Sequence, residues 1–461
     1  MSHSEAAYHE PESTAEATKM TRLDWITAAG DDRYARLAEA LAGGFLGDVG
    51  PPPMPGGRAA ALKHLQGYDL ADYGRARNYL DAPVSRLSPY LRHGMLSIVE
   101  VRDAIRKRYG SEPHRGEEFL RQLAWRDFFD KVLQWHGPGL NDDLEDAKHH
   151  VPRASNLPTD IAAGNTGLPC IDGMLAELFA DGTLHNHERL WFAAYLCHFR
   201  GISWKVGAQL FRQYLLDGDT ASNSSSWQWV ESTFAAKPYF MNKENIDKFS
   251  AGRWCRDCRV KCPFDADYDT LQRRLFDTGT APLHQLGRMQ ANAKPEVQPL
   301  TRPSPANGVA ETSDLIWVHD RAIHDRIQVP GATVAFVFDG DVARTEPPAF
   351  HRCAFVWDGL LELFAAREPA CCEVSFGMPA EELAALAEAS GATTIHVEDH
   401  PEPNVQWTIA TLRKRFDVVV HPRPVLTTYA GEPKRFSRYW EKVAHQVLGY
   451  APKSSPKKYH Q

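Results

Sequence analysis

The sequence predicts two domains built on different patterns: a mostly α-helical domain over residues 23–290, followed by a doubly wound α/β domain over 315–448. Two observations carry this. The first is period. From about Leu23 to Phe276 apolar residues return every three or four positions between short Gly/Pro/Asp turns, as in Glu118-Phe-Leu-Arg-Gln-Leu-Ala-Trp-Arg-Asp-Phe-Phe-Asp-Lys-Val-Leu133. The second is alternation. Leu315-Ile-Trp-Val318, Thr333-Val-Ala-Phe-Val-Phe338, Thr394-Ile-His-Val397 and Asp417-Val-Val-Val420 are short β-branched or aromatic runs, separated by helical patterns at Ala354–Ala365 and Ala380–Ala389. Strands alternating with helices predict a parallel sheet wrapped on both faces. Residues 291–314, rich in Pro, Asn and small polar residues without periodicity, read as a linker. Residues 1–22 read as a polar, disordered leader and 449–461 as a basic tail.

The 461 residues carry 52 Lys+Arg against 59 Asp+Glu, a net charge of -7, which is no nucleic-acid signature by itself. A local basic face stays open, because phosphate affinity depends on where charges cluster. Part of the acidity is peripheral: Glu5, Glu10, Glu12 and Glu16 stand against Lys19 and Arg22 in the leader. No basic segment followed by an apolar one suggests a secretory signal. The longest apolar stretch, Leu190–Cys197, is too short to cross a bilayer. The expectation is a cytoplasmic protein with no membrane partner. Its eight cysteines then point to metal, redox or burial before disulfides. The α/β half lacks G-x-G-x-x-G, so it implies no dinucleotide.

Chemistry concentrates in the helical half. Leu215-Leu-Asp-Gly-Asp-Thr-Ala-Ser-Asn-Ser-Ser-Ser-Trp-Gln-Trp-Val230 breaks a helix, runs through small polar residues and enters an aromatic segment. Alone, it reads as an N-cap and turn before a core helix. It has company: Val84-Ser-Arg-Leu-Ser-Pro-Tyr-Leu91, Thr166-Gly-Leu-Pro-Cys-Ile-Asp172, Gly182-Thr-Leu-His-Asn-His-Glu-Arg189 and Trp204 precede it. In this order the set, covering Gly56 to Phe276, resembles the FAD-binding helical domain of the cryptochrome/photolyase family. The resemblance implies that Tyr73, Ser85, Arg86, Leu87 and Ser88 hold the FAD phosphates, with Arg126 facing the diphosphate. It places Asn186, Arg189, Asp217 and Asp219 along the isoalloxazine and ribityl region, with Arg189 paired to Asp217, and Asn223 against flavin N5. Trp227 and Trp204 correspond to the proximal and middle members of the family's electron-transfer chain, while the third position falls on Arg153. Trp229, Trp254 or a tyrosine would supply another route. Taken singly, each Trp also reads as a core aromatic.

Three thiols crowd Trp254-Cys-Arg-Asp-Cys-Arg-Val-Lys-Cys-Pro-Phe-Asp265, and Cys170 lies well upstream. One distant thiol plus a tight trio resembles the iron–sulfur bacterial branch of the family, implying a [4Fe–4S] cluster on Cys170, Cys255, Cys258 and Cys262. A zinc site completed by histidine, and a turn with no metal, are the alternatives. Cys197, Cys353, Cys371 and Cys372 read as buried structural thiols.

Family members carry the α/β domain first; here the order is inverted, so the chain resembles a circularly permuted relative. Leu315–Asp320 and Phe336–Asp339 resemble the first two strands of the family's antenna domain, and Gly391–Val397 and Phe436–Trp440 fit the same domain. The second, antenna chromophore stays unassigned. In the substrate pocket Gln122 stands where cyclobutane-dimer enzymes have Glu, three residues before Trp125, while His185-Asn186 follows the cyclobutane pattern and His187 is one residue out of place. The resemblance implies Trp125, Gln122, His185 and Asn223 as the working pocket and ultraviolet-damaged DNA, single- or double-stranded, as partner. The reaction implied is a light-driven, FAD-dependent photolyase reaction. The alternatives are a cryptochrome-type blue-light photoreceptor, with a protein partner the sequence does not name, and a flavin/iron–sulfur electron-transfer protein.

Overall fold

The computed structural model describes residues 32–70, 72–149, 153–277 and 312–450. The leader, the linker up to residue 311 and the tail from 451 lie outside the described residues. In the helical half the longer helices are α1 (Asp32–Leu41), α2 (Arg58–Gly67), α3 (Ile98–Arg108), α4 (His114–His136), α5 (Pro169–Asp181), α6 (Asn186–Ala194), α7 (Trp204–Tyr214), α8 (Ser225–Glu231) and α9 (Lys243–Phe249). Their ends follow local chemistry. Ser97 opens α3 with a reciprocal cap: its Oγ accepts the Glu100 amide at 3.1 Å and the Glu100 carboxylate accepts the Ser97 amide at 2.8 Å. The apolar period read across Glu118–Leu133 becomes the buried stripe of α4, with Phe119, Leu120, Leu123, Phe128, Val132 and Leu133 inward.

In the second half, β1 (Asp314–Trp317), β2 (Thr333–Asp339), β3 (Cys372–Gly377), β4 (Thr394–Glu398) and β5 (Asp417–His421) form one sheet in the order β3-β2-β1-β4-β5. Every pairing is parallel. The helices α10 (Phe350–Ala365), α11 (Pro379–Ser390) and α12 (Pro403–Leu412) lie between strands in sequence. The predicted parallel sheet is present, and β3 is the strand that the sequence reading did not name. Glu373 and Ser375 interrupt its apolar run.

The two halves share a core. One contiguous cluster runs from Leu37, Leu123 and Phe128 to Val334, Phe350, Phe355 and Tyr439. The last described helix, α13 (Phe436–Leu448), buries Phe436, Tyr439, Val443 and Val447 along one stripe. The sequence grouped Phe436–Trp440 with the α/β half, but this stripe packs on α4. Tyr439 Oη donates to Asp127 Oδ2 at 2.6 Å, and Arg435 grips Glu145 through two bonds of 2.6 and 2.9 Å. Among the described residues no helix is long and apolar enough to cross a membrane.

Candidate functional site

The turn between α7 and α8 gathers most of the charged residues that the sequence singled out. Gly218 lets it fold tightly, because a Cβ there would sit 2.8 Å from the Phe211 carbonyl oxygen. Asp217 and Asp219 flank it, 8% and 5% exposed. Arg189 of α6 brings Nη2 to 3.0 Å from Asp217 Oδ1. Burial pushes the Asp217 carboxyl up, but Arg189 and the Ser88 hydroxyl outweigh it and hold the group below its ordinary value. Asp219 accepts from the Ser222 amide at 2.6 Å and the Ser222 hydroxyl at 2.9 Å, and pairs with Arg126 of α4 at 3.1 Å. It thereby caps the wide π-turn Thr220–Ser224, where Asn223 Nδ2 donates to the Ala208 carbonyl at 2.8 Å.

The remaining candidates arrive by neighbouring elements. Ser88 opens the short helix Ser88–Arg92, Leu87 before it is buried, and Arg86 adopts a left-handed backbone with φ 51°. Ser85 Oγ accepts the Leu87 amide at 3.4 Å. Asn186 is exposed at the first position of α6, one turn from Arg189. Tyr73 packs its ring on Phe119 at 5.3 Å and Tyr68 at 6.3 Å, and burial raises its phenol. Asp217 Oδ1, Ser224 Oγ, Ser225 Oγ and His185 Nε2 are buried polar atoms without a hydrogen-bond partner. Each such atom costs about 1–3 kcal/mol until it is satisfied.

Trp227 is buried against α7, where Gly207 makes room: a Cβ there would meet the indole at 2.1 Å. Trp204, one turn earlier on the same helix, donates Nε1–H to Asp143 Oδ1 at 2.6 Å. Trp229 meets Tyr239 at 5.4 Å. Arg153 stands in an enclosure the sequence did not reveal. Its Nε donates to Glu231 Oε1 at 2.8 Å, and its Nη2 lies 3.2 Å from His149 Nε2 and 3.4 Å from His198 Nδ1. These three residues have the only trio of ligand atoms within 4.8 Å of one another among the described residues, and the guanidinium already supplies their cation.

The four predicted ligand cysteines converge. Trp254 packs against Gly173 of α5, where a Cβ would meet its ring at 2.2 Å, and this docks the Cys255–Cys262 segment beside Cys170. All four thiols are unbridged. Burial, then the neighbouring sulfurs, push Cys170 up to about 12; burial, with Asp247 and the sulfurs adding, takes Cys255 to about 11. Among the described residues no three of these sulfurs lie within 4.8 Å of one another. Cys197, Cys353 and Cys372 are buried and Cys371 half-buried.

The predicted lesion pocket is less open than expected. Gln122 Nε2 donates to Glu118 Oε1 at 2.8 Å. His185 caps α6, accepting the His187 amide at 3.2 Å, and burial lowers both imidazoles to about 4, so both are neutral near pH 7. Trp125 stacks on Phe436 with centroids 3.8 Å apart and planes 8° off parallel. One face of the indole expected to receive a base is therefore occupied, because α13 packs on α4. Between the halves a cavity of about 570 Å³ opens at the carboxyl ends of β1 and β2, bounded by Asp320, Phe338 and Glu402 on one side and Arg92, Trp204 and Thr220 on the other.

The family model described as the FAD binding domain of DNA photolyase matches residues 119–269. The deoxyribodipyrimidine photo-lyase of Halobacterium salinarum is 33% identical over 198 residues, 40% of this chain and 41% of its own. A cryptochrome DASH of Idiomarina loihiensis is 28% identical, covering 52% of this chain and 53% of its own. The chain spans about two fifths of the first curated relatives it matches, at 41%, 38% and 40% of their lengths. A bacterial class III photolyase structure from Agrobacterium tumefaciens is 26% identical over 50% of this chain and 52% of its own, with a TM-score of 0.40. The deoxyribodipyrimidine photo-lyase of Synechococcus sp. is 31% identical over 330 residues, 64% of this chain and 67% of its own length. On that breadth of similarity, the chain belongs to the photolyase/cryptochrome family.

Proposed function

We propose that the protein is a light-dependent FAD photolyase acting on ultraviolet pyrimidine photoproducts in DNA. The observation that carries this reading is the turn at Asp217–Asn223, where two carboxylate–guanidinium pairs, a buried amide and unsatisfied hydroxyls meet. Such a donor set fits FAD. Phosphates and ribityl hydroxyls match the Ser85–Ser88 segment, Arg126, and the buried Ser224 and Ser225 hydroxyls. When bound, FAD supplies light-driven one-electron chemistry. Arg189 and Asp217 neutralise each other beside the ring, and Asn223 offers a neutral amide that does not repel an anionic ring. Asn186, Asp219, Leu87 and Tyr73 complete the wall. Trp227 of α8 packs on Gly207, one turn along α7 from Trp204, and the two act as the relay, with Trp229 beside Tyr239 as a branch.

Cys170, Cys255, Cys258 and Cys262 hold a [4Fe–4S] cluster in this reading. Four unbridged cysteines with no histidine among them match a four-thiolate cluster rather than a zinc site completed by histidine. With four protein ligands it leaves no open position, and it staples α5 to the segment after α9. The α/β half plays the antenna-domain part in a circularly permuted order, and the cavity at its strand ends suits a second chromophore of unassigned identity. On the DNA side Gln122 and neutral His185 offer hydrogen bonds to base edges, on single or double strands.

A specific observation favours the second reading. Phe436 covers one face of Trp125, which suits a cryptochrome-type photoreceptor whose flavin signals to a protein partner without repair. One assay separates the two. Purified flavin-loaded protein is incubated with oligonucleotides carrying cyclobutane or (6-4) lesions, single- and double-stranded, under blue light. Restoration supports the photolyase; bound flavin without restoration of any substrate removes it. Iron and sulfide content, compared with Cys262→Ala, tests the cluster: four irons lost on substitution are expected.

A further inference from the structure

The turn carrying Asp217, Asp219 and Asn223 is held from the sheet side as well as from the helices. Glu402, 7% exposed at the start of α12, accepts a hydrogen bond from Thr220 Oγ1 at 2.5 Å. Its other oxygen lies 3.1 Å from Arg321 Nη2, and both side chains are nearly enclosed, at 10% and 8% exposed. Next to Arg321, Asp320 pairs with Arg92 at 2.8 Å. Arg92 Nε in turn donates to the Gly218 carbonyl at 3.0 Å, and Arg352 of α10 donates to the same oxygen at 3.1 Å.

The α/β half thus fixes the backbone at Gly218 and the side chain at Thr220, one residue either side of Asp219. Two anchor points determine the tilt of the turn as well as its position. Thr220 also begins the wide turn that presents Asn223. We propose that Glu402 is a positioning residue for the flavin-facing turn, acting through Thr220 across the boundary between the halves. The proposal rests on the FAD reading above. Its rival is that Glu402 only cements the two halves through Arg321, in which case the ion pair is the working part and the Thr220 bond is incidental.

The two roles separate because Gln keeps an acceptor for Thr220 but removes the countercharge of Arg321. Full-length Thr220→Val, Thr220→Ser, Glu402→Ala and Glu402→Gln proteins are compared with the parent by FAD titration, flavin midpoint potential and Tm. Losing one buried hydrogen bond at the turn is expected to weaken FAD about tenfold in Glu402→Ala and Thr220→Val, with the potential shifted in a common direction. Thr220→Ser and Glu402→Gln are expected to stay within about twofold. Glu402→Gln should nevertheless lower Tm, as Glu402→Ala does, because both leave Arg321 short of its partner. The double variant should bind FAD no more weakly than either single one, since one bond is lost in each. FAD affinity and potential unchanged in Thr220→Val and Glu402→Ala, with only Tm reduced, would overturn the proposal in favour of cement. Thr220→Val, nearly isosteric, carries the test if Glu402→Ala does not fold. Parent protein that takes up no FAD is a different result and removes the reading beneath.

Discussion

Glu188 closes the cap of α6, its carboxylate accepting the His185 amide at 3.2 Å, yet it is only 2% exposed. Burial, with Glu177 adding to it, brings its carboxyl up to about 7. The folded state therefore holds the proton where the unfolded chain has released it. Stability from this group is full below its unfolded value and lost as pH rises to about 7. Glu188→Gln keeps an acceptor for the cap, so its urea-unfolding free energy should gain on the parent between pH 5 and pH 8, by up to roughly 3 kcal/mol. An unchanged difference between the two proteins across that range would contradict the burial argument. Trp227→Phe should abolish blue-light bleaching of the bound flavin while leaving FAD uptake intact; normal bleaching would remove Trp227 from the relay. What depends on a single segment was legible in the sequence: a cap and turn before a core helix within 215–230, where Asp219 supplies the cap. Arg153 was legible as a departure from the tryptophan chain, but apart from nearby His149 its partners Glu231 and His198 come from distant segments and left no local pattern.

Among the elements, two glycines show how helices admit aromatic rings. Gly173 and Gly207 have ordinary helical backbones, and each is pressed by an indole, that of Trp254 and Trp227 respectively. A methyl group at either site overfills the contact, which costs about 1–3 kcal/mol in chemical unfolding. The two variants should differ in what else they lose. Gly173→Ala should lower bound iron by lifting the cysteine segment from α5, whereas Gly207→Ala should leave iron unchanged and slow flavin photoreduction. Helices and strands with clean periods were read close to their observed positions, as at Ala354–Ala365 inside α10. β3 escaped because Glu373 and Ser375 break its run, and Phe436–Trp440 was grouped with the α/β half without being read as part of a helix that packs on α4. An amphipathic stripe says that a face will be buried, not against what.

For the whole molecule, the shared core makes the two halves one cooperative unit. Asp127 lies inside α4 and is held by Tyr439 and by Thr427, at 2.6 and 2.7 Å. Tyr439→Phe should cost about 1–3 kcal/mol, because it withdraws a donor from a buried carboxyl. Ending the chain at residue 435 removes α13 altogether and uncovers Trp125, Phe128 and Asp127. That truncation should move the protein to the insoluble fraction, and supplying residues 436–450 as a separate peptide should restore part of it. Equal solubility with and without α13 would show that α4 does not need this cover. The two-domain reading caught the change of pattern along the chain, but not this return, because long-range pairing leaves no trace in any short window.

The same return sets a timetable for biosynthesis. Asp127 and Tyr439 are 312 residues apart. At 5–20 residues per second a ribosome takes roughly 15–60 s to travel between them. Throughout that interval the nascent chain carries a finished α4 with a bare greasy flank, a natural landing place for a chaperone until the closing helix emerges.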